Sequence, residues 1–292
     1  MADNPLLTVF LPLALGTIMI GLGLHLGIAD FRRVLAMPKA VMLALVIQVL
    51  ALPPVAFLLA RAFDLPGELG LGMVLLAISP GGITANLFSH LTRGDIALNV
   101  SLTAINSLIA LVTIPLWAAF GMQVFLGSEG VVPPPTRKVI EVAVFVIAPV
   151  IIGMSVRHWR PRWAAAAERP IRVMSTLILA ALIVLTVASE WASFLKYAPI
   201  VGLACLAFNL VSLGSGYGAA RFAQLPRPQA IAIGYEIGIH NSTLSMYIAL
   251  QVLSMPEAAI ASAIYSLIMY LTAALFAVWL IRTAPRVAMT PA

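Results

Sequence analysis

The chain has 292 residues, of which 62% are apolar and only 10% charged, and its mean hydropathy is +1.04. A water-soluble domain carries about a quarter of its residues as charges, so a soluble globular protein is excluded and an all-α polytopic membrane protein is expected. The net charge of +6 does not indicate a nucleic-acid partner. Its Lys and Arg residues sit in short loops between apolar runs, the pattern that orients a chain in a bilayer.

A spanning helix needs about 20 mostly apolar residues. Runs over 6–28, 40–62, 69–91, 95–120, 139–156, 171–193, 198–222, 228–253 and 258–281 predict nine transmembrane helices. The loops between them are short, the longest being 121–138, with Pro133-Pro134-Pro135, and 157–170. Met1-Ala2-Asp3-Asn4-Pro5 brings no basic residue before the first run, which argues against a signal peptide. On the side of the N-terminus the loops hold four Lys or Arg, and on the other side thirteen, including Arg32, Arg33, Arg157, Arg160 and Arg162. That bias predicts an outside N-terminus and a cytoplasmic C-terminus. Trp159 and Trp163, between arginines, read as interfacial anchors. Cys205, the single cysteine, lies in an apolar run and reads as a packing residue.

An internal repeat is visible at an offset of 160. Arg61-Ala62-Phe63-Asp64-Leu65-Pro66 is similar to Arg221-Phe222-Ala223-Gln224-Leu225-Pro226. Fourteen residues after each proline a span is interrupted, first by Pro80-Gly81-Gly82-Ile83-Thr84 and then by Gly238-Ile239-His240-Asn241-Ser242-Thr243. The interrupted spans, the third and the eighth, are five apart and cross in opposite directions, so the repeat is inverted. Paired interruptions of this kind point to a transporter's binding site, because freed backbone groups must line a protein cavity rather than face lipid.

Polar residues inside a membrane are costly and mark function. Glu236 stands about nine residues into its span, just before the break, with His240 four residues on. Three readings of Glu236 are open: an oxygen ligand of Na⁺, a protonatable carboxylate coupled to His240, and a structural hydrogen-bonded group. Gln48, in the second span before Pro53-Pro54, suits an interhelical hydrogen bond or a site role. Thr84, Asn86, Asn99, Thr103 and Asn106 could join Glu236 in a cation cage; Asn99 and Thr103 share a helix face. Gly23/Gly27 and Gly214/Gly218 have the spacing that lets helices approach closely. His25 reads as a satisfied histidine at a helix end. No nucleotide-binding loop, zinc-protease motif or nucleophile elbow is present, so an enzyme is not expected.

Pro80-Gly81-Gly82 with Asn86 and Arg93-Gly94-Asp95-Ile96-Ala97-Leu98 resembles the first crossing helix of the bile acid:sodium symporter family. Glu236-Ile237-Gly238-Ile239-His240-Asn241-Ser242 is similar to the Glu-x-Gly-x-Gln-Asn-Ser signature of its second. Gln48 before Pro53, and Gly21-Leu22-Gly23-Leu24 to Asp30-Phe31, match as well. The resemblance implies a single transporter domain over 1–292, made of a core and a panel. Its first repeat, 1–120, would lack its first helix, and its second would be 139–283. It implies Na⁺-coupled symport of an organic anion through a bacterial-type inner membrane.

Residue by residue, the resemblance implies one sodium site at Asn86, Asn99, Thr103 and Glu236. A second would use Gln48, Glu236, His240 and the carbonyls of Ile237 and Ile239. The substrate would lie beside Ile83, Thr84, Asn241, Ser242 and Tyr270. The chain departs from the family pattern at Ala85 and Asn99, where serines are usual, and at His240, where glutamine is usual. Proton-coupled or uncoupled transport is the alternative these departures favour; a transporter-like receptor and an intramembrane enzyme are the readings from other classes.

Overall fold

The computed structural model describes residues 5–127 and 136–283. Met1–Asn4, the loop with Pro133-Pro134-Pro135, and Arg286 lie outside these residues. The described residues are helical, without a strand. In chain order the helices are α1 (Pro5–His25), α2 (Ile28–Ala36), α3 (Pro38–Leu45), α4 (Leu52–Ala62), α5 (Gly67–Ala77), α6 (Ile83–Leu91) and α7 (Ile96–Leu126). There follow α8 (Thr136–Trp159), α9 (Pro161–Ser189), α10 (Trp191–Phe222), α11 (Arg227–Gly238), α12 (Ser242–Tyr247) and α13 (Pro256–Arg282). A π-helical turn at Val46–Ala51 joins α3 to α4, and another at Ile248–Val252 extends α12.

Among the described residues four continuous helices are long and apolar enough to cross a membrane: Pro38–Ala62, Ile96–Leu126, Trp191–Phe222 and Pro256–Arg282. The expected spans 69–91 and 228–253 are each divided into two helices, as their interruptions predict. Polarity is inside out, as a lipid solvent requires. On α7, Leu108, Val112 and Leu116 are exposed at a four-residue spacing, while Asn99, Thr103 and Asn106 are buried. On α13, Leu267, Leu271 and Leu275 repeat the exposed stripe, and Tyr265, Ser266 and Met269 face inward.

Two of the expected loops are helical. Residues 28–36 form α2, and 161–170 belong to α9 rather than to a long connection. Pro161 stands at the first turn of α9, where its missing N–H costs nothing, and the run Ala164-Ala165-Ala166-Ala167 favours helix strongly. Trp159 and Trp163 flank this junction and are exposed.

The segment Arg61–Pro66 and its counterpart Arg221–Pro226 fold alike. Asp64 and Gln224 both take positive φ, 49° and 58°. The Leu65 N–H donates to the Ala60 carbonyl at 2.9 Å, and the Leu225 N–H to the Ala220 carbonyl at 3.0 Å. Each turn reverses the chain after a helix, and a proline caps the helix that follows.

Helix α1 packs closely on α8, and both pack on α9. Gly23 permits the first contact: a Cβ on Gly153 would come within 2.8 Å of Gly23 Cα. The paired expectation at Gly214 and Gly218 is corrected, since a Cβ at either meets nothing within 4 Å. Those two glycines share the outer face of α10. Gly216, between them on the inner face, makes the close approach instead, with its Cβ direction 3.0 Å from Gly234 Cα on α11. Gly27 caps α2 rather than packing a helix. His25 Nδ1 lies 2.7 Å from the Gly21 carbonyl, and the buried Cys205 thiol points at the Ala261 carbonyl at 3.5 Å. Replacing Gly153 with valine is expected to destabilise the α1–α8 pair by about 1–3 kcal/mol, the usual cost of overpacking, read as a lowered thermal midpoint in detergent.

Candidate functional site

The two helix breaks meet. Pro80 has no N–H to continue α5 and biases Ser79 away from helical backbone. Gly81 and Gly82 then carry the chain to α6. In the second break Ile239 is extended (φ −114°, ψ 97°), and Asn241 restarts the helix by accepting the Leu244 N–H on its side-chain oxygen at 3.0 Å. The two short stretches pair as an antiparallel bridge between Gly81 and His240, with the Asn241 N–H donating to the Pro80 carbonyl at 2.8 Å.

Carbonyls left at the ends of α5 and α11 receive side-chain amides. Gln48 Nε2 donates to the Ala77 carbonyl at 3.1 Å and to the Ser79 carbonyl at 3.2 Å. Asn209 Nδ2 donates to the Gly238 carbonyl at 2.8 Å. Gln48 thus makes interhelical hydrogen bonds and lies at the break as well. Asn209 was not legible as a functional residue; only its position as a lone amide in an apolar span could have marked it.

Glu236 is fully buried between these breaks. The Thr103 hydroxyl donates to Glu236 Oε2 at 2.6 Å, and Asn106 Nδ2 donates to Oε1 at 3.2 Å. The Gly81 N–H also points at the carboxylate. Asn99 is fixed one turn below Thr103, its Nδ2 donating to the Ala232 carbonyl at 2.7 Å. Glu236 therefore has hydrogen-bond donors but no cationic partner among the described residues, and a buried carboxylate so placed remains short of positive charge.

At the crossing lie buried oxygens without a donor among the described residues, Gln48 Oε1, Asn99 Oδ1 and Asn106 Oδ1, and Asn86 Oδ1 on α6 is likewise unsatisfied. Leaving a buried polar atom unsatisfied costs about 1–3 kcal/mol, and such acceptors at the crossing together with the carboxylate form a hard-oxygen set that suits an alkali cation. Ile237 lies in the last turn of α11, where a helix leaves carbonyls without intrahelical donors, and Ile239 caps that helix. The donor set fits Na⁺ in its chemistry.

His240 presents a different atom. Its Nδ1 lies 3.0 Å from the Tyr265 hydroxyl. That hydroxyl receives Asn209 Nδ2 at 2.8 Å and donates to the Gly238 carbonyl at 2.9 Å. When the tyrosine proton goes to Gly238, Nδ1 carries the histidine proton and Nε2 a lone pair. Nε2 is buried with no partner. Thr272 bonds to Asn209 Oδ1 at 2.5 Å and fixes the amide's orientation. Tyr265 and Thr272, like Asn209, escape a reading by sequence because their roles need three helices to converge.

A cavity opens beside the crossing. Thr84, Asn241, Ser242 and Tyr270 line it, together with His240, and α1 and α9 close it with Met19, Leu22 and Leu179. The Ser242 hydroxyl is buried without a partner. The side chain of Ile83 lies outside the described residues; its backbone begins α6. Structure thus brings Gln48, Glu236, Asn99 and Thr103 to one side of the crossing and the four lining residues to the other. His240 lines the cavity with the latter, and Asn86 is on α6.

The model of the sodium bile acid symporter family matches residues 12–197. The chain belongs to the sodium bile acid symporter family. An uncharacterized sodium-dependent transporter of Bacillus subtilis, YocS, is 28% identical over 88% of this chain and 78% of its own length. The bovine P3 protein is 29% identical over 84% of this chain and 51% of its own length. Sodium/bile acid cotransporter 5 of the rat is 27% identical over 80% and 54%. The chain thus spans most of the bacterial relative and about half of the two mammalian ones. Membership makes it a membrane transporter and not an enzyme.

Gly81 has no room for a side chain, because a Cβ there would overlap the Glu236 carboxylate. Gly81→Ala is expected to leave the protein folded in detergent but to remove any thermal stabilisation by NaCl over choline chloride. Equal stabilisation of variant and wild type would contradict the crossing as the cation locus.

Proposed function

We propose that the chain is a secondary active transporter that carries an organic anion with Na⁺ by alternating access. The observation that carries this reading is Glu236, buried with no cationic partner among the described residues and accompanied by unsatisfied oxygens where the two breaks meet. The sodium-dependent description of the Bacillus relative and the cotransporter name of the rat relative support the choice of cation.

One site uses Asn86, Asn99 and Thr103 with Glu236. The other uses Gln48, Glu236, His240 and the carbonyls of Ile237 and Ile239. Bound sodium supplies the positive charge that the buried carboxylate lacks. Thr103 and Asn106 hold Glu236 in one rotamer, so its oxygens keep their aim. Asn209 and Gln48 hold the broken helix ends, so the carbonyls near them stay in register. Thr84, Asn241, Ser242 and Tyr270 offer hydrogen bonds to an anion, with Ile83 beside them. The apolar wall from α1 and α9 takes its hydrocarbon part. The panel is α1, α8 and α9, and it moves against the core that holds the crossing.

The chain has nine spans, an outside N-terminus and two inverted repeats, 1–120 and 139–283, in a bacterial-type inner membrane. The matching turns at Asp64 and Gln224 and the meeting of the two breaks support this topology. A second reading, proton-coupled or uncoupled transport, is favoured by the Nε2 lone pair of His240, since nitrogen is a poorer ligand for Na⁺ than the amide oxygen usual in the family.

Reconstituted protein is expected to accumulate a carboxylate or sulfonate from a screened panel under an inward Na⁺ gradient. Glu236→Ala is expected to lose that uptake by at least tenfold. Uptake that follows a proton gradient alone, or full activity in Glu236→Ala, would sink the sodium reading. His240→Gln should lower the Na⁺ concentration needed for half-maximal uptake. Tyr265→Phe, which frees the histidine to change tautomer, should raise it while the wild-type fold persists by circular dichroism.

A further inference from the structure

We propose that the cleft between the α1–α2 corner and the α8–α9 corner is a binding site for the headgroup phosphate of an anionic phospholipid. The cleft is open to solvent and shares no lining residue with the cavity beside the crossing. Arg32, Arg33, Arg157 and His158 line it, with Asp30 and Trp159. Three arginines face a single carboxylate, and that carboxylate is already engaged. Asp30 Oδ2 accepts the Gly27 N–H at 2.7 Å, and Oδ1 accepts Arg33 at 2.7 Å.

Arg157 is held ready. Its Nη1 donates to the carbonyls of Leu24 and His25, at 3.1 and 2.8 Å, at the end of α1. Nε and Nη2 keep three N–H donors without a partner among the described residues, and this free edge suits the paired oxygens of a phosphate. Arg32 is exposed and has no ion-pair partner among the described residues.

The cleft's other wall selects a lipid over a free anion. Ile151 and Met154 line it, and Ile151 and Ile152 are exposed on the α8 face leading from it. Trp159, 74% exposed, stands at the corner where an indole occupies the headgroup layer. A basic floor that continues into an apolar, outward-facing wall has the shape of a headgroup joined to acyl chains. The ligand would tie α1, α8 and α9 at one end.

The test uses the full chain released from mixed micelles and weighed by native mass spectrometry. With equimolar phosphatidylglycerol and phosphatidylcholine present, the wild type is expected to retain phosphatidylglycerol preferentially. The double variant Arg32→Gln/Arg33→Gln should lose that preference, at about fivefold per arginine, whereas Arg282→Gln at another helix end should keep it. These substitutions spare Arg157, whose loss could unfold the α1–α8 contact. Equal retention of the two lipids by the wild type, or an unchanged preference in the double variant, would overturn the site. Displacement of phosphatidylglycerol by inorganic phosphate alone would also overturn it, by assigning the cleft to a free anion.

Discussion

Backbone polar groups freed inside an apolar bundle must find partners within the protein, and the fold is organised around that demand. Each break on its own would leave carbonyls and N–H groups in a medium that cannot bind them. Brought together, the breaks satisfy one another through the Gly81–His240 bridge and the Asn241–Pro80 hydrogen bond. The remaining carbonyls are met by amides from neighbouring helices, Gln48 for the first break and Asn209 for the second. Glu236 depends on the same arrangement, because Gly81 reaches its carboxylate only while the crossing is intact.

The π-helical turns bear on how the proposed halves align. Asp64 and Gln224 correspond at an offset of 160, but a second pair of positive-φ residues, Arg93 and Ser254, stands 161 apart. The turn at Ile248–Val252 lies between the later members of these pairs, and a π-turn carries one extra residue. Gln48 and Asn209 are also 161 apart, and the turn at Val46–Ala51 lies in the first half at Gln48 itself. One inserted residue in each half accounts for both changes of register. The caps of the two breaks then correspond as well as their turns.

Much of this was legible in the sequence, and the rest was hidden for identifiable reasons. Composition sufficed for the helical membrane class, since no soluble packing tolerates so few charges. Proline and paired glycines announced the first break, and Gly238 with Asn241 the second. Asn209 and Tyr265 gave no such signal, because a lone amide or phenol in an apolar run takes its meaning from which carbonyl it reaches. The outward glycines of α10 show the converse failure: Gly214 and Gly218 had the right spacing, but the face they share is set by tertiary packing. Helix 161–170 was missed because charge and proline resemble a loop, whereas proline in a first turn starts a helix.

In the proposed mechanism, coupling between cation and solute follows from how little chain separates the residues assigned to each. Glu236 is the last acidic residue before the second break, and Asn241 and Ser242, which line the cavity, come directly after it. Residues 238–241 therefore form the common wall of the two proposed sites. Their backbone is held by hydrogen bonds from Asn209, Tyr265, Ser242 and Ser245, by others to Tyr235 and Pro80, and by the bridge to Gly81. A ligand on either side that fixes this stretch lowers the cost of ordering it for the other, which is a coupling free energy and acts equally in both directions. His240 stands in the middle of the stretch, with Nδ1 tied to Tyr265 and Nε2 unengaged. A histidine at this position, where the family resemblance implies glutamine, therefore alters the wall shared by the two proposed sites, and not merely one proposed ligand of one of them.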